Sequence, residues 1–140
     1  MPVEAVNSLR PLLDAFGTHP NYRLVLFTMD ETIYSRELGP LAGFYPSFYV
    51  GVPWWFIDAP DAIKRFRKAV SEYGTFYKTS GFIDDTRAFL SIPARHDVAR
   101  RVDATYLARL VAEHRLAEDE AHEVAADLAY HLPRRAYRLG

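Results

Sequence analysis

Leu9, Leu12, Leu13 and Phe16 fall at i, i+3, i+4 and i+7, the apolar stripe of one helix, and Gly17 follows as its stop. The turn-like Thr18-His19-Pro20-Asn21 leads into Tyr22 to Thr28, whose apolar centre is unbroken. Such a run suits a strand covered on both faces, as in a parallel sheet. Thr32 to Ala42 reads as a short helix interrupted at Gly39-Pro40. A second strand is predicted over Ser47 to Val52, running out into Pro53-Trp54-Trp55-Phe56.

Asp58, Pro60 and Asp61 then mark a helix start, with Pro60 at the first helical position. The helix from Pro60 to Tyr73 carries Ile63, Phe66 and Val70 on one side and Lys64, Arg65 and Lys68 on the other, and Gly74 caps it. A third strand is predicted over Phe76 to Ile83, ending in Asp84-Asp85-Thr86-Arg87. A long helix follows from near Arg95 to Arg115. From Glu118 the pattern is again helical through Val124 and Leu128, until Pro133 should kink or stop it.

Helices alternating with strands are the grammar of βαβ units, so the fold class is α/β with about three parallel strands and flanking helices. A closed eight-stranded barrel takes about 250 residues, so a chain of this length could supply only its last part. Three strands standing alone would leave two bare edges, which invite pairing with another chain.

At 140 residues the chain makes one domain. Its 17 Lys and Arg against 18 Asp and Glu give no positive excess to draw in a nucleic acid backbone. Hydrophobic residues at 49% can build a core, and 9 Phe, 9 Tyr and 2 Trp make the chain rich in aromatics. With no cysteine there is no disulfide, no thiolate zinc ligand and no thiol nucleophile. Neither a signal peptide nor a membrane-length apolar run is present, and the expected setting is the cytoplasm, away from membranes.

In parallel α/β folds ligands gather where strands end, which directs attention to Thr28-Met29-Asp30-Glu31, Pro53-Trp54-Trp55-Phe56 and Asp84-Asp85-Thr86-Arg87. Asp85 and Arg87 are two apart; in an extended chain both point the same way, with Cα atoms about 7 Å apart. A carboxylate there can bind a divalent cation or move a proton, and a guanidinium can clasp a substrate carboxylate. The local alternative is a turn capped by Asp84 or Asp85 with Arg87 paired to it at the surface. Trp54 or Trp55 could wall a sugar or ring pocket, or both could pack between sheet and helices. Of the five histidines, His19, His96, His114, His122 and His131, none forms a His-x-His or His-Glu-x-x-His pattern. His96 follows the Asp-x-Arg segment closely enough to reach the same mouth, or simply starts a helix.

Four blocks taken together carry a more specific signal: Leu26-Phe27-Thr28-Met29-Asp30-Glu31 with Tyr34-Ser35-Arg36-Glu37-Leu38; Gly51-Val52-Pro53-Trp54-Trp55-Phe56; Gly81 to Phe89; and Pro93-Ala94-Arg95-His96-Asp97. In this order and spacing the chain resembles the C-terminal part of uronate (glucuronate) isomerase, of the amidohydrolase superfamily. The resemblance implies a (β/α)8 barrel in which residues 1–140 form one partial domain bearing the sixth to eighth strands. It implies interconversion of D-glucuronate with D-fructuronate, or D-galacturonate with D-tagaturonate. On that likeness Asp85 binds the divalent metal, usually zinc, and moves protons, while Arg87 holds the uronate carboxylate. Trp54 or Trp55 would line the sugar pocket, with Arg95 and His96 in the loop beyond the eighth strand.

The family's His-x-His metal pair, which follows its first strand, has no counterpart here. A metal held by Asp85 alone would be readily lost, since such sites take three or more protein ligands. The expectation is a C-terminal segment, from a truncated or split coding sequence, that does not keep zinc and is inactive alone. Its partner would be an N-terminal complementing fragment or a second copy. The rival expectations are a non-catalytic remnant that associates through its open edges, and a different metal-dependent hydrolysis.

Overall fold

The computed structural model describes residues 4–52, 55–85 and 88–140, except for the side chains of Trp55 and Phe56. Helix α1, Ala5–Phe16, buries Leu13 and Ala5, while Leu12 and Phe16 of the predicted stripe stay exposed. Its amino end is held from a distance. The Glu37 carboxylate accepts from the backbone N–H groups of Ala5 and Val6 at 2.5 and 3.0 Å, so it supplies the acceptor that Glu4 does not. At the other end Gly17 is obligatory for space: a Cβ there would lie 2.4 Å from both the Leu13 carbonyl and the Tyr45 ring.

Strand β1, Leu24–Leu26, pairs in parallel with β2, Phe48–Val50, in the register Leu24 to Phe48, Val25 to Tyr49 and Leu26 to Val50. The predicted strands are therefore in place but shorter. The crossover between them is a wide π turn, Tyr34–Leu38, running directly into helix α2, Gly39–Phe44. Gly39-Pro40 does not interrupt this helix; Pro40 sits in its first turn, where no backbone donor is needed.

Helix α3, Pro60–Gly74, buries Ile63, Phe66 and Val70, as its pattern predicts. It shares one core with Leu13, Ile33, Leu38, Ala42, Phe48 and Val50. Close approach to α2 depends on Gly43, whose Cβ would stand 2.6 Å from the Tyr73 carbonyl.

The third predicted strand is corrected. Phe76–Lys78 forms a 3₁₀ turn, and among the described residues the segment meets the sheet only at a parallel bridge, Val50 to Thr79, with Ser80 N–H donating to the Val50 carbonyl at 3.2 Å. Two hydroxyls explain this. Thr75 accepts from the Tyr77 N–H at 3.2 Å, and Thr79 donates to the Phe76 carbonyl at 2.7 Å, so the backbone closes on itself before a ladder can form. The fold is thus α/β and mostly helical, with two parallel strands among the described residues.

Helix α4, Ile92–Ala112, begins three residues earlier than predicted because Pro93 serves in its first turn. Helix α5, Glu118–Ala126, continues through a π turn, Asp127–His131, into α6, Leu132–Tyr137. Pro133 therefore does not stop the helix: the widened turn ahead of it absorbs the missing N–H. Its ring packs over Gly81, which has φ of 77°; a Cβ there would lie 2.4 Å from Pro133 Cγ. Leu107, Val124, Leu128 and Leu132 make a second core between α4 and the last helices. No helix among the described residues is long and apolar enough to cross a membrane.

Lys78 supplies a pH-dependent contribution to this fold. Its ammonium donates to the Tyr45 and Pro46 carbonyls, both at 2.9 Å, and lies 4.8 Å from the Tyr49 ring centre. Burial, with a smaller push from the Arg23 guanidinium, lowers its pKa from 10.5 to about 8. Between those two values the folded chain has released a proton that the unfolded chain still holds, so this residue's contribution to stability rises with pH across the window. Urea unfolding of the wild type and Lys78→Met should show the difference in stability moving in favour of the wild type from neutral pH to beyond the upper end of that window. A flat or falling difference would contradict the assignment.

Candidate functional site at the strand ends

After β1 the polar residues are consumed locally. Thr28 Oγ1 accepts from the Asp30 N–H at 3.0 Å, and Asp30 Oδ1 accepts from the Thr32 N–H and hydroxyl at 2.9 and 2.6 Å. Glu31 accepts two hydrogen bonds from Arg65, at 2.8 and 2.9 Å. This bonding holds the Glu31 carboxyl below its ordinary pKa against the opposing effect of burial. The loop thus joins the end of β1 to α3.

After β2, Trp54 lies outside the described residues, as does the Trp55 side chain, so their expected place at a sugar pocket rests on sequence. Asp58, just beyond, is described and half-buried. At the third segment Asp84 and Asp85 separate: the Asp84 side chain is 4% exposed, whereas Asp85 faces solvent. Arg87 lies outside the described residues.

Arg95, on the first turn of α4, joins two of these segments. Its Nε donates to Asp84 Oδ1 at 2.5 Å and its Nη2 to Asp58 Oδ2. Burial works against the charge, but the two carboxylates prevail and hold the guanidinium above its ordinary pKa. The other oxygen of Asp84 is buried and has no hydrogen-bond partner among the described residues. His96, next on the helix, meets the Phe82 ring edge to face at 5.1 Å. It lines a cavity of about 370 Å³ with Phe82, Arg100, Asp103, Leu128 and Pro133.

Among the described residues no three His, Asp or Glu side chains gather as a metal site. Asp85 offers one exposed carboxylate, and one oxygen of its neighbour Asp84 is already committed to Arg95. This donor set does not by itself fit a zinc ion, which takes three or four protein ligands.

The sequence reading missed a second buried ion pair behind this face. Arg67 is 1% exposed and donates to both oxygens of Asp103 at 2.7 Å and to Thr79 Oγ1 at 3.1 Å. The signal was present: Arg67 completes the i, i+3, i+4, i+7 stripe of Ile63, Phe66 and Val70, a charge inside an apolar row. It locks α3, α4 and the end of the Phe76–Lys78 turn into one body behind the strand ends.

Comparison with known proteins gives a consistent result. The family model for glucuronate isomerase matches residues 4–137. The chain is 63% identical over 139 residues to a uronate isomerase of Xanthomonas campestris pv. campestris (strain B100), covering 99% of this chain and 30% of that protein. It is 62% identical over 134 residues to a uronate isomerase of Phenylobacterium zucineum (strain HLK1), covering 96% and 28%. The crystal structure of glucuronate isomerase from Caulobacter crescentus superposes with a TM-score of 0.96 at 58% identity, over 99% of this chain and 29% of that one. Uronate isomerase from Thermotoga maritima superposes with a TM-score of 0.89 at 27% identity, over 96% and 29%. The chain thus spans less than a third of the length of these relatives.

Proposed function

The chain belongs to the glucuronate isomerase family, and we propose that it carries one wall of a uronate isomerase active site, completed by polypeptide outside these 140 residues. The observation that carries this reading is the separation of two adjacent aspartates after the bridged third segment, one buried and anchored, the other presented to solvent. In the proposal Asp85 is the presented acid that moves a proton between C1 and C2 of the sugar acid. Arg87 holds the substrate carboxylate through paired hydrogen bonds, which a planar guanidinium suits. Trp54 or Trp55 closes the pocket against the sugar face, and His96 stands at its rim.

The two strands and the bridged third segment then form the last part of a (β/α)8 barrel, working in the cytoplasm. Two features support this. Strand β1 is paired on one side only among the described residues, and the large apolar Phe89 and Leu90, close after Asp85, are almost fully exposed. Both are surfaces that further barrel elements would cover. In such a barrel Asp85 would contribute one ligand to a divalent metal, the other ligands coming from polypeptide outside these residues, and the metal would supply Lewis acidity.

Mixing this chain with the complementary N-terminal polypeptide of the Xanthomonas relative, in the presence of zinc, should convert glucuronate to ketose. The chain alone should show no turnover and, after dialysis, well under one equivalent of zinc. Turnover by the isolated chain would overturn the proposed division of the site. No turnover by the mixture, with both pieces soluble and associated, would favour the non-catalytic reading.

A further inference from the structure

We infer that Arg95 is a positioning residue, whose guanidinium fixes the segment bearing Asp85 to the turn bearing Asp58 and so sets where the Asp85 carboxylate stands. Its functional consequence rests on the isomerase reading; the mechanical claim does not.

The geometry is a fork. One arm, Nε, reaches Asp84 and the other, Nη2, reaches Asp58, two carboxylates from distant stretches of chain. Asp58 is 15% and Asp84 4% exposed, so without the cation two negative charges would face each other in a partly dry environment. Asp84 depends most on the contact, because its second oxygen is buried without a partner among the described residues. Arg95 itself is 35% exposed and sits on the first turn of a 21-residue helix, a stiff base for both arms.

Asp85 follows Asp84 directly in the chain, and the two side chains go to different environments. Pinning the Asp84 carboxylate therefore pins the backbone from which Asp85 projects. Asp58 follows Trp54 by four residues and Trp55 by three in the sequence. A shift of about 1 Å between reacting groups can cost on the order of 100-fold in rate, which is the scale on which such a brace acts. A lysine could neutralise one carboxylate but could not fork between two.

The chain has 2 tryptophans, both within four residues of Asp58 in the sequence, so intrinsic fluorescence reports on that end of the brace without any need for activity. Arg95→Met should keep the far-UV circular dichroism of the wild type but shift tryptophan emission and raise the acrylamide quenching constant about twofold, with Arg95→Lys recovering part of the difference. Emission and quenching identical to the wild type in a folded Arg95→Met chain would overturn the inference. Should that variant not fold, Asp58→Asn, which weakens one arm and keeps the volume, is read by the same criterion.

In the complemented assembly the positioning role predicts a fall in kcat of about tenfold or more with KM little changed. A rise in KM at unchanged kcat would instead make Arg95 a sugar contact and overturn the inference. If the assembly shows no turnover with wild-type chain, the isomerase reading fails while the fluorescence result still decides the brace.

Discussion

Replacing Arg67 by methionine is expected to destabilise the chain by about 3 to 5 kcal/mol, the cost of leaving a buried charge without its partner. Arg67 is 1% and Asp103 12% exposed, and the pair shares two hydrogen bonds of 2.7 Å. Methionine fills much of the volume but leaves the Asp103 carboxylate facing an apolar gap and removes the donor to Thr79, 3.1 Å away. Against a typical stability of about 5 to 15 kcal/mol the loss is large. The double variant Arg67→Met with Asp103→Leu should recover most of it, because removing both charges avoids their desolvation. Urea unfolding of wild type, both single variants and the double variant measures the cycle. A single-variant loss below about 1 kcal/mol, or a double variant no better than Arg67→Met, would show that the pair does not hold α3 to α4 as described.

The second large effect concerns chemistry. In the complemented assembly Arg87→Met should lower kcat/KM for glucuronate by roughly 10²- to 10³-fold, because it removes the paired, charge-assisted clasp proposed for the substrate carboxylate. Asp85→Asn should lower kcat by roughly 10²- to 10⁴-fold, since an amide cannot carry the proton. The two variants are distinguished by substrate. A neutral aldose lacks the group that Arg87 is proposed to hold, so Arg87→Met should not lower its turnover, whereas Asp85→Asn should. Equal losses of Arg87→Met on charged and neutral sugars would remove the clasp from the proposal.

Much of the scaffold was readable because period and punctuation agree. Pro60 starts α3, Ile63, Phe66 and Val70 set its buried face, and the apolar run about Leu24 to Leu26 locates β1. Phe76 to Ile83 was misread because Phe76, Tyr77, Phe82 and Ile83 imitate a strand, while the deciding groups are the hydroxyls of Thr75 and Thr79, which composition does not weigh. The continuation of the helix past Pro133 was not readable, because a π turn leaves no mark in a pattern of period 3.6. In the site, the Asp84-Asp85 pair was visible, but two identical neighbours cannot be ranked without burial, and Arg95 joins them to Asp58 across 37 positions of sequence. Long-range partnership of that kind leaves no local periodicity to read.

The acceptor that secures the amino end of α1 belongs to Glu37, 31 and 32 residues further along than the amides it binds. A short helix lacking tertiary support is marginal in water. As the polypeptide emerges from the ribosome, α1 therefore has no lasting anchor until the stretch containing Glu37 has cleared the exit tunnel. Until then the helix should fray, and the order of synthesis sets the order in which it can consolidate.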